Sequence, residues 1–250
     1  MHEHVKAFVV SAADAFQLRG PICRIECRRD PDSGELGLGT LLRARFGQLA
    51  DVSFLPDHQR EAIRLPFPDG AVRTVLCVGA RQFAAKPEET AAEIRRVLSP
   101  GGALLACVRV PDPASRPALA SWRPTPQTVA RLLMGMDATL VGWQGAETCP
   151  HTVYGVGFKP PVTGTAVDGT SRFIDDFQTQ LENAAKGGDW RTRLRRFLSV
   201  WLPVRSARRR RNDHRVRFIV HLTLHRNVAQ DASPSGPHDE KTGTRLDLMD

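Results

Sequence analysis

The chain has 250 residues, 41% hydrophobic and 25% charged, a balance that fits a globular protein and excludes a disordered, collagen-like or coiled-coil one. No apolar run approaches the roughly 20 residues that span a bilayer, and Met1-His2-Glu3-His4 lacks the basic-then-apolar order of a signal peptide, so a cytoplasmic protein is expected. The formal net charge of +8 is uneven: residues 1–160 carry 19 basic against 16 acidic side chains, whereas Trp190–Arg217 holds eleven arginines and only Asp213 as an acid. That window calls for an anionic neighbour. The five cysteines (Cys23, Cys27, Cys77, Cys107, Cys149) include no CxxC pair; they read as buried thiols in a reducing compartment, with no metal site.

From Pro21 to Phe158 short apolar runs alternate with helical patterns, the signature of βα units feeding a mostly parallel sheet. Strands are predicted at Ile22–Glu26 and Ala50–Leu55, with a helix at Leu36–Phe46 between them. Val72–Val78 is a continuous apolar run bounded by Asp69-Gly70 and Gly79, as in a strand buried on both faces. Glu88–Leu98 places Ala91, Ala92, Ile94, Val97 and Leu98 at helical spacing, with acids first, Arg95 and Arg96 last, and Pro100-Gly101-Gly102 as the stop. Ala103–Val110 is a further buried strand and Pro111–Pro117 a loop. Thr125-Pro126 offers an N-cap and a first-turn proline for a helix to about Met134. Thr139–Trp143 and Thr152–Phe158 read as a closing antiparallel hairpin.

Beyond Lys159 the pattern changes. Residues 161–170 read as a linker, Ser171–Ala185 as a modestly amphipathic helix, and Trp190, Leu194, Phe197, Leu198, Trp201 and Leu202 as one apolar stripe on a basic helix. Val216–Leu224 alternates like a strand, so 171–226 forms a basic helical and strand extension. Residues 227–250, polar with few large apolar side chains, read as a disordered tail.

Three segments carry a resemblance. Leu65-Pro66-Phe67-Pro68-Asp69-Gly70, the strand Val72–Val78, and Glu93-Ile94-Arg95-Arg96-Val97-Leu98-Ser99-Pro100-Gly101-Gly102 resemble, in order and spacing, the small-molecule branch of class I S-adenosylmethionine-dependent methyltransferases. Ser121-Trp122-Arg123-Pro124-Thr125-Pro126 and Cys149–Gly157 are similar to stretches of a bacterial subgroup found beside sugar-polymer genes. The resemblance covers roughly residues 1–160. It implies a doubly wound, mostly parallel α/β sheet of seven strands, a Rossmann-like fold, with S-adenosylmethionine as cofactor and a small or lipid- or sugar-linked acceptor.

In such a sheet the ligand crevice lies outside the carboxyl ends of the strands, where strand order reverses. The resemblance places cofactor contacts at Asp57, as the acid for the ribose hydroxyls, at Ala62 and Ile63 beside the adenine, and at Val78 and Gly79. It departs at the turn after the first strand, where Arg24 stands for the family's acid and Glu26 for its first glycine, with Gly34, Gly37 and Gly39 following later. No general base carries over, because Phe83 stands where a histidine is common. Trp122, His151 and Tyr154 are the candidates for a substrate pocket, since imidazole titrates near neutrality and a phenol donates. For the basic stretch 190–211, with Arg191, Arg195 and Arg208, Arg209, Arg210 and Arg211 as anion contacts, three readings stay open: an anionic membrane surface, packing on protein, and nucleic acid, against which the lack of a reading module speaks. A binding or scaffold module of the same fold is the alternative to the enzyme, and the fold does not separate them.

Overall fold

The computed structural model describes residues 2–27, 35–54, 64–78, 87–109, 125–162, 164–186, 216–222 and 245–246. They build one eight-stranded sheet with helices on both faces: α1 (His2–Ala15), β1 (Ile22–Cys27), α2 (Glu35–Phe46), β2 (Leu49–Phe54), β3 (Val72–Val78), α3 (Pro87–Val97), β4 (Leu98–Arg109), α4 (Pro126–Leu132), β5 (Ala138–Ala146), β6 (Cys149–Phe158), α5 (Gly164–Lys186), β7 (Val216–Leu222) and the short β8 (Arg245–Leu246). The order across the sheet is β2-β1-β3-β4-β6-β5-β7-β8. β2, β1, β3 and β4 pair in parallel, while β6, inserted between β4 and β5, and β7, outside β5, run the other way. This is the doubly wound α/β architecture expected, with eight strands among the described residues where seven were expected.

Alternation along the strands sorts the core into two layers. On one face Ile22, Leu76, Leu105, Cys107, Tyr154, Val156 and Phe158 meet α1, α2 and α5. On the other Ile25, Val75, Cys77, Leu104, Ala106, Val108 and Val153 meet α3 and α4. β3 is buried on both faces, as its apolar run predicts. Glycine sets the distance of α4: a Cβ on Gly155 would come within 2.5 Å of Val129 Cγ1, so β6 carries no side chain there and the helix can seat.

The far end of the chain is where expectation and structure part. α1, for which no element was predicted, buries Val5, Phe8, Val9, Ala12 and Phe16. α5 starts inside the expected linker 161–170, and its Phe173, Phe177 and Leu181 are completely buried in the main core. Phe8, Tyr154, Phe173 and Phe177 form one aromatic cluster with ring centroids 4.9–5.9 Å apart. β7 pairs with β5 along its whole length, and Phe218 lies over Gly142, where a Cβ would come within 2.4 Å of its ring. The boundary at residue 160 is therefore replaced: helix and strand of the supposed extension belong to the sheet and its core, because the α1 face is covered only with their help. Within the expected tail, Arg245–Leu246 adds a short strand to β7. The basic helix at 190–202 lies outside the described residues.

If α5 is structural in this sense, Phe177→Ala should lower stability by about 3–5 kcal/mol in urea unfolding, the usual cost of emptying a buried phenylalanine site. A loss under about 1 kcal/mol would mean that the helix is an appendage.

Candidate functional site at the carboxyl ends of the parallel strands

Chain order reverses between β1, which is followed by β2 on one side, and β3, which is followed by β4 on the other. A crevice in such a sheet opens there, beyond the carboxyl ends. The described residues at that rim are Glu26 and Cys27 of β1, Ser53 and Phe54 of β2, Val78 of β3 and Val108 of β4; Glu26 is in register with both Ser53 and Val78, and Val78 with Cys107. The antiparallel hairpin brings its turn to the same end: Thr152 is in register with Arg109, so His151 and the Glu147–Thr148 turn stand at the crevice rim.

Of the residues expected to bind cofactor, Val78 is at this rim and half-buried; Asp57, Ala62, Ile63 and Gly79 lie outside the described residues, as do Trp122 and the arginines Arg191, Arg195, Arg208, Arg209, Arg210 and Arg211. His151 is half-buried beside Gly145. Tyr154, expected to face a substrate pocket, is instead fully buried in the aromatic cluster, and its hydroxyl donates to Gln144 Oε1 at 2.9 Å. One residue further along β6 from the rim reverses the side-chain direction and each pair moves it deeper, which puts the phenol among α1 and α5 rather than in the crevice.

Arg24 is the larger correction. It lies within β1, 8% exposed, and donates from Nε to Asp51 Oδ1 at 2.6 Å across the β1–β2 ladder, where the two residues are in register. Arg43 of α2 stands 3.6 Å from the other oxygen of Asp51. The guanidinium is thus matched by a carboxylate on the neighbouring strand. Asp51 escaped attention in the sequence, although two opposite charges embedded in neighbouring apolar strands were the signal.

The Leu65–Gly70 motif has a different job from the crevice. It sits at the amino end of β3, held by the Glu93–Arg96 pair of α3. Arg96 donates through Nη1 to the Phe67 carbonyl (2.9 Å) and Asp69 Oδ1 (2.7 Å), through Nη2 to Glu93 Oε1 (2.7 Å), and through Nε to Glu93 Oε2 (2.8 Å). The Leu65 N–H donates to Glu93 Oε1 at 2.7 Å, and the Gly70 N–H to the Arg96 carbonyl. The hydrogen bonds from Arg96 hold the Glu93 carboxyl below its ordinary range against the opposing effect of burial, and the same contacts raise Arg96. Lys159 closes that end by donating to the carbonyls of Arg95 (2.6 Å) and Leu98 (2.5 Å) at the end of α3, where a cation is favoured.

The thiols of Cys23, Cys77 and Cys107 are buried; desolvation, aided by the nearby Asp51 charge, pushes Cys23 up to about 12, and burial raises Cys77 as well. Cys23 and Cys77 are therefore poor nucleophiles. Among the described residues no group of three His, Cys, Asp or Glu side chains could hold a metal ion, and no helix is long and apolar enough to cross a membrane.

Residues 42–106, from α2 to the middle of β4, match a family model described as a methyltransferase domain. That match covers about a quarter of the chain. Solved structures similar to it include a SAM-dependent methyltransferase of Thermotoga maritima titled a possible histamine N-methyltransferase (14% identity, 63% of this chain and 91% of that one, TM-score 0.38). A SAM-dependent methyltransferase of Aquifex aeolicus (13%, 61% and 97%, TM-score 0.34) and a geranyl diphosphate C-methyltransferase of Streptomyces coelicolor A3(2) (16%, 51% and 53%, TM-score 0.32) are also similar. No curated protein matches. Likeness at that level locates no site residue in this methyltransferase-like chain.

Two outcomes follow. Because the Glu93 carboxyl titrates below its unfolded value, its contribution is present above the unfolded pKa and lost as pH falls through the folded one. Glu93→Gln should therefore cost about 1–3 kcal/mol at pH 7, and the difference from wild type should shrink as urea unfolding is repeated toward pH 3. In the Arg24/Asp51 pair, a double-mutant cycle with Arg24→Met and Asp51→Leu should return a coupling of at least about 1 kcal/mol, and a coupling near zero would mean that the two charges do not depend on one another.

Proposed function

We propose that the protein is an S-adenosylmethionine-dependent methyltransferase acting on a small or lipid- or sugar-linked acceptor. The observation that supports this reading is the reversal of strand order between β1 and β3, a switch point one side of which, β3, belongs to the segment that matches methyltransferase domains. The cofactor would supply an activated methyl group on a sulfonium. Its fit can be tested on charge: Arg24 is paired with Asp51, so that guanidinium is matched within the sheet, while Glu26, one residue from the end of β1, is an acid in the sequence that would suit a cationic ligand. Glu26 and Val78, with Asp57, Ala62, Ile63 and Gly79 from the resemblance, would hold it. His151, at the same rim, is the candidate for orienting the acceptor or receiving its proton, and positioning in the crevice would carry most of the acceleration.

A second reading is favoured by one specific feature: Glu26 stands where the family has its first glycine, and a side chain there takes up room. In that reading the fold is a binding or scaffold module. Calorimetry with S-adenosylmethionine and S-adenosylhomocysteine separates the two. The enzyme reading expects a Kd below about 100 µM, roughly −5.5 kcal/mol, weakened at least tenfold by Glu26→Lys. No heat at millimolar ligand would overturn it in favour of the scaffold.

A further inference from the structure

At the carboxyl end of β5 the regular pairing of the sheet breaks. The ladder to β6 shifts register between Gln144 and Gly145, and Gly145 takes a φ of +91°, a conformation that favours glycine. Such breaks re-aim side chains and are common beside active sites. Three side chains gather at this one. Trp143 stands directly opposite Arg217 in the antiparallel β5–β7 ladder, so the two rise from the same face of the sheet with Cβ atoms about 4.5–5.5 Å apart. Arg217 is exposed, and its Nη1 donates to the Gly145 carbonyl at 3.0 Å. His151 is half-buried, its Nδ1 3.3 Å from where a Cβ on Gly145 would stand. Trp143 is 5% exposed, and among the described residues its indole N–H is buried and finds no hydrogen-bond partner. Glu147, in the β5–β6 turn, is exposed and accepts from Gln127 Nε2 of α4 at 3.4 Å.

A buried donor without an acceptor is unfavourable, and each such group in a native structure calls for an explanation, a ligand-binding role among them. Here the unpaired donor lies across from a guanidinium and one turn of the chain from an imidazole, at the end of the sheet where the crevice opens. An indole N–H and a guanidinium only donate, and an imidazole supplies at least one N–H. Donors of this kind, one of them cationic, fit an oxyanion. We infer that the carboxyl end of β5 is an oxyanion-binding subsite, where a carboxylate or phosphate group pairs with Arg217 and accepts from the Trp143 N–H, with His151 at its side. That the anion belongs to a methyl acceptor rests on the methyltransferase reading; the subsite itself does not.

The test is a titration of the isotope-labelled full chain, followed by nitrogen–proton NMR, with sodium phosphate and separately with sodium acetate, at constant ionic strength against sodium chloride. Each of the four tryptophans gives one indole N–H signal, and that of Trp143 is assigned by its loss in Trp143→Phe. The Trp143 signal should move downfield and saturate with phosphate, acetate or both, together with the Gly145 amide, while the amides of Met134–Asp137 at the opposite end stay in place. Phosphate alone identifies a phosphorylated ligand and acetate alone a carboxylate, and either result supports the subsite. Arg217→Gln should weaken the response at least about tenfold, as loss of a charge-assisted pair does, with part of it recovered in Arg217→Lys. Trp143→Phe should weaken the response of the Gly145 amide at least about threefold. Unmoved Met134–Asp137 amides show that each variant is folded. No saturable movement with either anion up to about 0.1 M, equal movement with chloride, or an unweakened response in Arg217→Gln would overturn the inference and leave the indole N–H to an ordered water. Calorimetry with S-adenosylhomocysteine is independent of these signals, so the subsite and the methyltransferase reading can fail separately.

Discussion

An arginine buried inside a β-strand has to be matched by a charge within reach, and the pairing of Arg24 with Asp51 across the β1–β2 ladder meets that requirement. The two residues stand two positions before Glu26 and Ser53, the ones that reach the rim. With the guanidinium committed sideways to Asp51, its charge is matched within the sheet.

The two ends of the sheet divide the work. At the amino end the Glu93–Arg96 pair gathers Leu65, Phe67 and Asp69, and Lys159 caps α3, so the motifs that most resemble the family serve to hold the turn into β3. The carboxyl end receives the rim residues of β1 to β4, the β5–β6 turn and His151. The resemblance thus rests on residues that hold the turn into β3, and the departures from the resembled pattern stand at the other end.

Much of this was legible from the residues. The strands and α3 follow from continuous apolar runs and from helical spacing bounded by glycine and proline, and they fall within a few residues of the predicted limits. α1 was not foreseen because its buried face is built from Ala7, Ala12 and Ala15 as much as from Phe8 and Val9, so its periodicity is shallow. α5 was read as peripheral because its stripe of Phe173, Phe177 and Leu181 is narrow; its partner, α1, was missing from the prediction, and amphipathic strength says nothing about which face covers it. Tyr154 was misplaced for a related reason: a phenol suggests a pocket, but its neighbours Phe8 and Phe177 come from elements far apart in the chain. Asp51 needed the β1–β2 register, which no single strand reveals.

The central claim is that an S-adenosyl ligand occupies the crevice between β1 and β3. A crystal structure grown with S-adenosylhomocysteine tests it most directly. The account predicts electron density for the ligand against the carboxyl ends of β1 and β3, within contact of Glu26 and Val78, with the Arg24–Asp51 pair unbroken behind it. Density elsewhere on the molecule, or a Glu26 side chain filling that space in crystals saturated with the compound, would contradict it.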